Sequence, residues 1–509
     1  MSRVCGLLCR TASVALLFAC FLTSTVAAQK ASAHSSVEQR LKSAPIDFSE
    51  TEAATKQKPL FTKFKRVPTM SYPEALVVAD VDGNGYGDIV TAIQEYGDAK
   101  GLVTVNLGSF ESFTNSAVYS SGGNWASSVA VADLNNDGKL DIVVTNYACS
   151  PCEQSTVGVL LGNGDGTFQP VVTYNVNAEQ ALGVVVGDLN NDGKPDLMVA
   201  AFYGISVLLG NGDGTFQSAV VTPFGIGFTS IVAGDVNGDH NLDVVASGQY
   251  GLAVFLGKGD GTFQTPVDYS SGAASGGWAQ SVVLGDLNRD GSLDIAAANY
   301  PDGTVGVLLN KGDGTFAPAE LFDTGASLSW SLAIGDVTGD LKPDLVVANQ
   351  SGSFSVLTGN GDGTFQSPLV FVDAYGGDNS VAIYDINKDR TPDVVLSDGG
   401  GWASTFANHA PKSTTSTTLT SSPNPATIGQ AVTFTATVSS AVGSPPDGEI
   451  VTFKSAGTVL GTAPLHAGTA SITVVSLAKG HHYVNGRYPG DSDYLLPSKS
   501  PGLLQVITP

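Results

Sequence analysis

The chain has 509 residues, 61 of them glycine, with 14% charged residues and a formal net charge of -23. That acidic balance argues against nucleic acid as a partner, because holding phosphates takes Lys and Arg to displace counterions. The length leaves room for two or three domains.

At the N-terminus, residues 1–28 hold Arg3 and Arg10, an apolar run from Ala12 to Leu22 and the small-residue end Val26-Ala27-Ala28, the pattern of a secretory signal peptide. Leu17-Phe18-Ala19-Cys20 loosely imitates a lipoprotein box, which leaves lipidation at Cys20 open. Residues 29–60 are rich in Ala, Ser, Lys and Glu without sustained apolar periodicity and read as a flexible leader. No later run is long enough to span a bilayer. The expected product is therefore secreted, extracellular or cell-surface associated, and monomeric.

Three of the five cysteines, Cys5, Cys9 and Cys20, fall in the signal segment, which leaves Cys149 and Cys152. Their CxxC spacing admits a redox centre or half a zinc site, but no second pair completes a zinc site and no βαβ pattern surrounds them. In an oxidising compartment a local disulfide is the expected state.

The dominant signal is Asp133-Leu134-Asn135-Asn136-Asp137-Gly138-Lys139-Leu140-Asp141, which has oxygen side chains at loop positions 1, 3, 5 and 9 and glycine at position 6. The spacing occurs seven times, at steps of 53, 55, 47, 51, 50 and 49 residues. Oxygens at these positions, with a backbone carbonyl expected at position 7, are what Ca²⁺ needs to replace its water shell. Glycine accepts the positive φ of the sharp turn that folds them together.

The candidate ligands are Asp80, Asp82, Asn84 and Asp88 in the first loop and Asp133, Asn135, Asp137 and Asp141 in the second. Asp188, Asn190, Asp192 and Asp196 follow in the third, and Asp235, Asn237, Asp239 and Asp243 in the fourth. The fifth has Asp286, Asn288, Asp290 and Asp294, the sixth Asp336, Thr338, Asp340 and Asp344, and the seventh Asp385, Asn387, Asp389 and Asp393. Three carboxylates per loop make 21 of the 47 acidic residues, and seven Ca²⁺ ions would bring the formal charge from -23 to -9.

An EF-hand would need flanking helices and a glutamate at position 12, but that position is Val144 in the second loop and Val199 in the third. The flanks are short β-branched runs such as Val184-Val185-Val186 and Ile142-Val143-Val144, which predict strands. A calcium-binding β-helix repeats about every nine residues, far too short a period.

Each unit carries a second signal. Gly-Asp-Gly-Thr-Phe begins at Gly164, Gly212, Gly259, Gly312 and Gly361, between two strand-like runs, and reads as a tight hairpin turn. A phosphate loop would need a following Lys-Ser or Lys-Thr and a helix. One unit is thus four antiparallel strands in about fifty residues, and seven units predict an all-β fold with a seven-bladed β-propeller. The seventh unit ends after its third strand near Ser404-Thr405-Phe406-Ala407, so its outer strand is expected from Phe61 to Val67, which would remove an exposed sheet edge.

These two motifs in fixed order, over residues 61–410, resemble the FG-GAP or VCBS repeats of integrin α-chain propellers and secreted bacterial proteins. The resemblance implies Ca²⁺ on the loop carboxylates. Three loops depart at position 6, with His240, Leu341 and Arg390 for glycine, and leucine and arginine adopt positive φ poorly. With Thr338 at position 3 of the sixth loop as well, occupancy of the sixth and seventh loops stays open.

Residues 411–420 are Ser- and Thr-rich and read as a linker. Residues 421–509 alternate strands with Gly and Pro, which predicts a β-sandwich. Tyr488-Pro489-Gly490-Asp491-Ser492-Asp493-Tyr494 resembles the signature of bacterial Ig-like repeats, which implies a spacer module.

No histidine recurs near a Ser or Cys nucleophile at a signature spacing. Metal in the loops can be purely structural, and the expected role is a binding or adhesion protein for an extracellular glycan or protein. The competing class is a polysaccharide-degrading lyase or hydrolase, which a charged cluster at the ring's centre would favour. Tyr96, Tyr147, Tyr203, Tyr250 and Tyr300 follow second strands, while Tyr72, Trp125 and Trp278 each stand eight residues before a loop. Recurrence of this kind fits repeat packing, but Trp125 and Tyr147 beside the Cys149–Cys152 clip are the candidate ligand-stacking pair.

Overall fold

The computed structural model of the protein describes residues 60–509 apart from 71, 96–99, 111, 149–153, 226, 275–276, 374–376 and 492–493. The signal segment, the leader up to residue 59, Tyr96, Cys149 and Cys152 lie outside the described residues. Among those described there is no helix, and hence no helix long and apolar enough to cross a membrane.

Seven four-stranded antiparallel sheets form the ring. The second blade is typical. Its inner strand Ala126–Ala132 leads through an acidic loop into Asp141–Asn146, then Thr156–Leu160 and the outer strand Val172–Asn175. Every residue of Asp141–Asn146 is buried because blades cover both faces of this strand. That is why its Ile-Val-Val-Thr run is continuous rather than alternating, since β-branched side chains pack well on a pleated surface. Between the second and third blades, Val143, Val159, Val184, Leu197 and Phe216 share one apolar cluster, each such burial contributing roughly 1.5–3 kcal/mol.

The Gly-Asp-Gly-Thr-Phe turns tie blade to blade. Phe216 meets Tyr174 of the preceding blade edge-on at 5.5 Å, and Phe316 meets Tyr269 at 5.4 Å. The ring closes as expected: Phe61–Pro68 pairs antiparallel with Trp402–Asn408, from Phe61 opposite Asn408 to Pro68 opposite Trp402. It completes the seventh blade beside Asp393–Asp398 and Asp378–Tyr384, whose inner strand touches that of the first blade.

The C-terminal module is a sandwich around Phe434, Phe453, Val484 and Tyr488. One sheet consists of Thr415–Ser422, Val432–Ser440 and Thr469–Val474, so residues 415–420, expected as linker, are strand. The alternation of hydroxyls with Leu419 there suits a strand facing solvent on one side.

The Ig-like module is seated on the sixth and seventh acidic loops. Leu341 packs against the sandwich core. Arg390 donates to the Pro489 carbonyl at 3.3 Å, and Asn408 Nδ2 donates to the Tyr494 hydroxyl at 2.7 Å. Lys412 lies 4.0 Å from the Asp389 carboxylate.

Candidate functional site

The acidic loops share one hydrogen-bond plan. In all seven, the position-6 N–H donates to the position-1 carboxylate, from Gly85 on Asp80 at 2.6 Å to Gly291 on Asp286 at 2.9 Å. Position 6 is left-handed throughout, including His240 at φ 66°, Leu341 at 62° and Arg390 at 67°. The three departures therefore keep the loop geometry. Leucine and arginine bear the backbone strain because their side chains contact the Ig-like module.

Position 9 has a role that the spacing did not reveal. Asp196 Oδ2 accepts from Leu189 N at 3.0 Å and Oδ1 from Gly210 N at 2.7 Å, so one carboxylate joins the start of the loop to the following hairpin turn. Asp88, Asp141, Asp243, Asp294, Asp344 and Asp393 make the same two bonds. Each oxygen keeps a lone pair, so bracing and metal ligation are compatible. Burial, and then the other loop carboxylates, push Asp88 and Asp243 up to about 6 and Asp344 and Asp393 to about 7, against the pull of those backbone bonds.

Clustered carboxylates of this kind fit a hard cation. Asp80, Asp82 and Asp88 bring three oxygens within 4.8 Å of one another, and buried Asp80 Oδ1 takes no hydrogen bond. Thr338 Oγ1, at position 3 of the sixth loop, is likewise buried without a partner. Among the described residues, the first loop alone brings three carboxylates this close together.

The opposite end of the ring differs in character. Each inner strand is irregular near its second core position, where the pairing register shifts. The residues at that position are Glu74, Ser127, Leu182, Thr229, Gln280, Trp330 and Asn379, seven different types. The next position is Ala75, Ser128, Gly183, Ser230, Ser281, Ser331 and Ser380, uniformly small. Ser127, Thr229 and Asn379 bond the following blade, on the carbonyls of Ala181, Ala279 and Pro73. Glu74 is the single carboxyl of the seven, and burial pushes it up to about 7.

All four tryptophans of the chain lie at this end: Trp125 before an inner strand, Trp278 and Trp330 at the start of others, and Trp402 opening a third strand. The candidate pair is brought together, with Trp125 stacked on Tyr147 at 5.4 Å and 21°. Both are half-buried, so part of each ring is used by the other. Trp330 meets Tyr300 edge-on at 5.2 Å. Tyr203 and Tyr250, at the hairpins of the third and fourth blades, are 59% and 71% exposed. Trp330 and Trp402 escaped the eight-residue spacing used to find the others. Aligning the inner strands by register would have exposed the variable position.

The FG-GAP-like repeat profile matches residues 80–144, 147–199, 188–246, 235–297, 286–347 and 336–396. A bacterial Ig-like domain (group 3) profile matches residues 419–508. A comparison with curated protein sequences found no match. Among solved structures, an Agrocybe aegerita lectin described as specifically recognising non-reducing terminal N-acetylglucosamine is similar over 60% of this chain and 82% of its own, at 24% identity and a TM-score of 0.44. BBS1N in complex with ARL6DN, soaked with lead, is similar over 69% of this chain and 98% of its own, at 12% identity and a TM-score of 0.48. With the repeats spanning more than half its length, the chain belongs to the FG-GAP-like repeat family and carries a C-terminal bacterial Ig-like domain.

Proposed function

We propose that the chain is an exported, calcium-stabilised binding module whose ligand face is the end of the propeller opposite the acidic loops, and whose ligand is an extracellular saccharide. The observation that carries this reading is that all four tryptophans lie at that end. The acidic-loop end is partly covered by the Ig-like module, whereas Tyr203 and Tyr250 stand exposed on the other. Aromatic faces stack on the apolar faces of sugar rings, and an amide such as that of Gln280 suits sugar hydroxyls.

Acid/base cleavage of a glycosidic bond uses two carboxyls roughly 5–10 Å apart. Of the seven variable positions only Glu74 is a carboxyl, and the other carboxyls clustered at this end, Asp373, Asp378 and Asp398, are buried, which favours binding over hydrolysis. Calcium in the loops has the structural role of holding the blades that present this face.

Screening the full-length protein on a glycan array in Ca²⁺ tests the reading. Retention of a saccharide family is expected, with Trp125→Ala and Tyr147→Ala abolishing it while calcium-dependent melting stays intact. Full binding by both variants would move the site from the second blade, and no retained glycan would remove the saccharide reading.

A further inference from the structure

Six outer strands follow their third strand through a short hairpin turn, whereas the seventh arrives from far away in sequence: Lys65 N donates to Thr405 Oγ1 across 340 residues. Something must select this segment and its register from among seven similar blades. Part of the answer is Phe61. It sits opposite Asn408 as Phe316 sits opposite Asn310, and it meets Phe371 edge-on at 5.4 Å, as Phe316 meets Tyr269. A phenylalanine closes five other turns, so Phe61 sets the start of the strand without distinguishing it.

The distinguishing feature is charge. Where the sixth blade hands over to the seventh, Asp373 follows the outer strand, Asp378 opens the inner strand and Asp398 lies opposite Asp378. All three are buried. The corresponding residues one junction earlier are Thr324, Ser329 and Asn349, linked at 3.1 and 3.2 Å. At the junction of the third and fourth blades they are Phe224, Phe228 and Gly248. Among the described residues, only the closing junction fills this niche with carboxylates.

Two cations of the closing strand meet it. Lys63 Nζ bonds Asp373 at 2.5 Å, and Arg66 bonds Asp398 at 2.8 Å while its guanidinium lies 4.6 Å from the centre of the Trp402 ring. At the register of Arg66 the other outer strands carry Val118, Thr173, Val221, Asp268, Leu321 and Val370, none of them a cation. Any of those strands in the seventh blade would leave Asp398 buried without its counter-charge, a costly arrangement. Both oxygens of Asp378 are buried without a hydrogen-bond partner, so the cluster holds two paired acids and one unpaired acid.

We infer that the junction of the sixth and seventh blades is a charge-coded strand-acceptor site, in which Asp373, Asp378 and Asp398 select the basic segment Phe61–Val67 of the same chain and fix its register through Lys63 and Arg66. The code acts mainly by exclusion, since a neutral or acidic strand is rejected by the carboxylates it fails to neutralise.

Amide exchange in the full-length protein tests the code. In Lys63→Glu/Arg66→Glu, exchange across Trp402–Asn408 should quicken at least tenfold while Thr156–Leu160 stays as in the parent. Adding Asp373→Asn, Asp378→Asn and Asp398→Asn to that variant makes the niche neutral, as at the preceding junction, and should restore protection to within about threefold of the parent. The rescue decides the question even where the charge-reversed strand alone prevents folding. Parental protection in Lys63→Glu/Arg66→Glu, or failure of the neutral niche to rescue it, would overturn the inference and leave strand choice to Phe61 and backbone pairing.

Discussion

The two ends of the propeller are built from the same seven repeats, yet they have diverged in opposite ways. At the acidic-loop end, positions 1, 6 and 9 repeat one hydrogen-bond plan seven times, and even Leu341 and Arg390 hold the backbone of the glycines they replace. At the other end the inner-strand position varies from Glu74 to Trp330 without a single repetition. Uniformity marks the scaffold, which every blade needs in the same form. Divergence marks the end where the blades are free to differ, and there the tryptophans collect.

Removing metal should break the comparison most severely. At extracellular-type affinities near 10⁻⁴ M, millimolar Ca²⁺ contributes about 1.4 kcal/mol per occupied site. Seven sites would approach 10 kcal/mol, so excess EDTA should lower the melting temperature by about 20 °C. An unchanged melting curve would contradict metal in the loops.

Asp196→Ala separates bracing from metal binding. It strands two backbone N–H groups that Asp196 now satisfies, at a cost of about 2–5 kcal/mol. In EDTA it should still melt well below the parent, whereas exposed Asp192→Ala should lose its effect there. Equal behaviour of the two in EDTA would remove the brace.

Much of this molecule was legible in the sequence, for a physical reason. Loops that gather oxygens and turns that need positive φ restrict residue type at fixed spacing, so both motifs recur visibly, and strand order and closure by Phe61–Val67 follow from them. The features that escaped are tertiary. Leu341 and Arg390 look like damaged loops until the Ig-like module, which begins some seventy residues after Leu341 in sequence, is placed on them. Asp373, Asp378 and Asp398 meet only through blade register, and the second inner-strand position becomes comparable only once the pairing is known. The Thr-rich stretch at 415–420 looked like a linker because a solvent-facing strand and a polar linker share a composition.

A smaller effect sharpens the difference between the closing junction and the rest. Burial first, then Asp373 and Asp398, hold Asp378 at about 8, with Lys63 pulling the other way. The folded protein keeps a proton that the unfolded chain releases above about pH 4, so the stability linked to this group is full below that and is lost as pH rises toward 8. Asp378→Asn should flatten that decline, melting a few degrees above the parent at pH 8.5 and alongside it at pH 4. A parallel decline in both proteins would clear Asp378 of the effect.

Restoring glycine in Leu341→Gly/Arg390→Gly relaxes two left-handed positions but removes the module's contacts, for a net loss of about 1–2 kcal/mol at the interface. In Ca²⁺ the Ig-like module should then be cleaved faster by protease while the propeller's melting is unchanged. A module as resistant as the parent's would mean that these contacts do not hold it.

The division of labour between the ends is tested most directly by measuring saccharide binding and calcium-dependent melting together in two variants, Tyr203→Ala/Tyr250→Ala at one end and Asp286→Asn/Asp290→Asn at the other. The first should lose at least tenfold in affinity for the array-selected glycan and keep its melting curve, while the second should melt earlier in Ca²⁺ yet bind as the parent does below its transition. Loss of glycan binding in the loop variant with full binding in the tyrosine variant would place the ligand at the acidic-loop end and contradict the account.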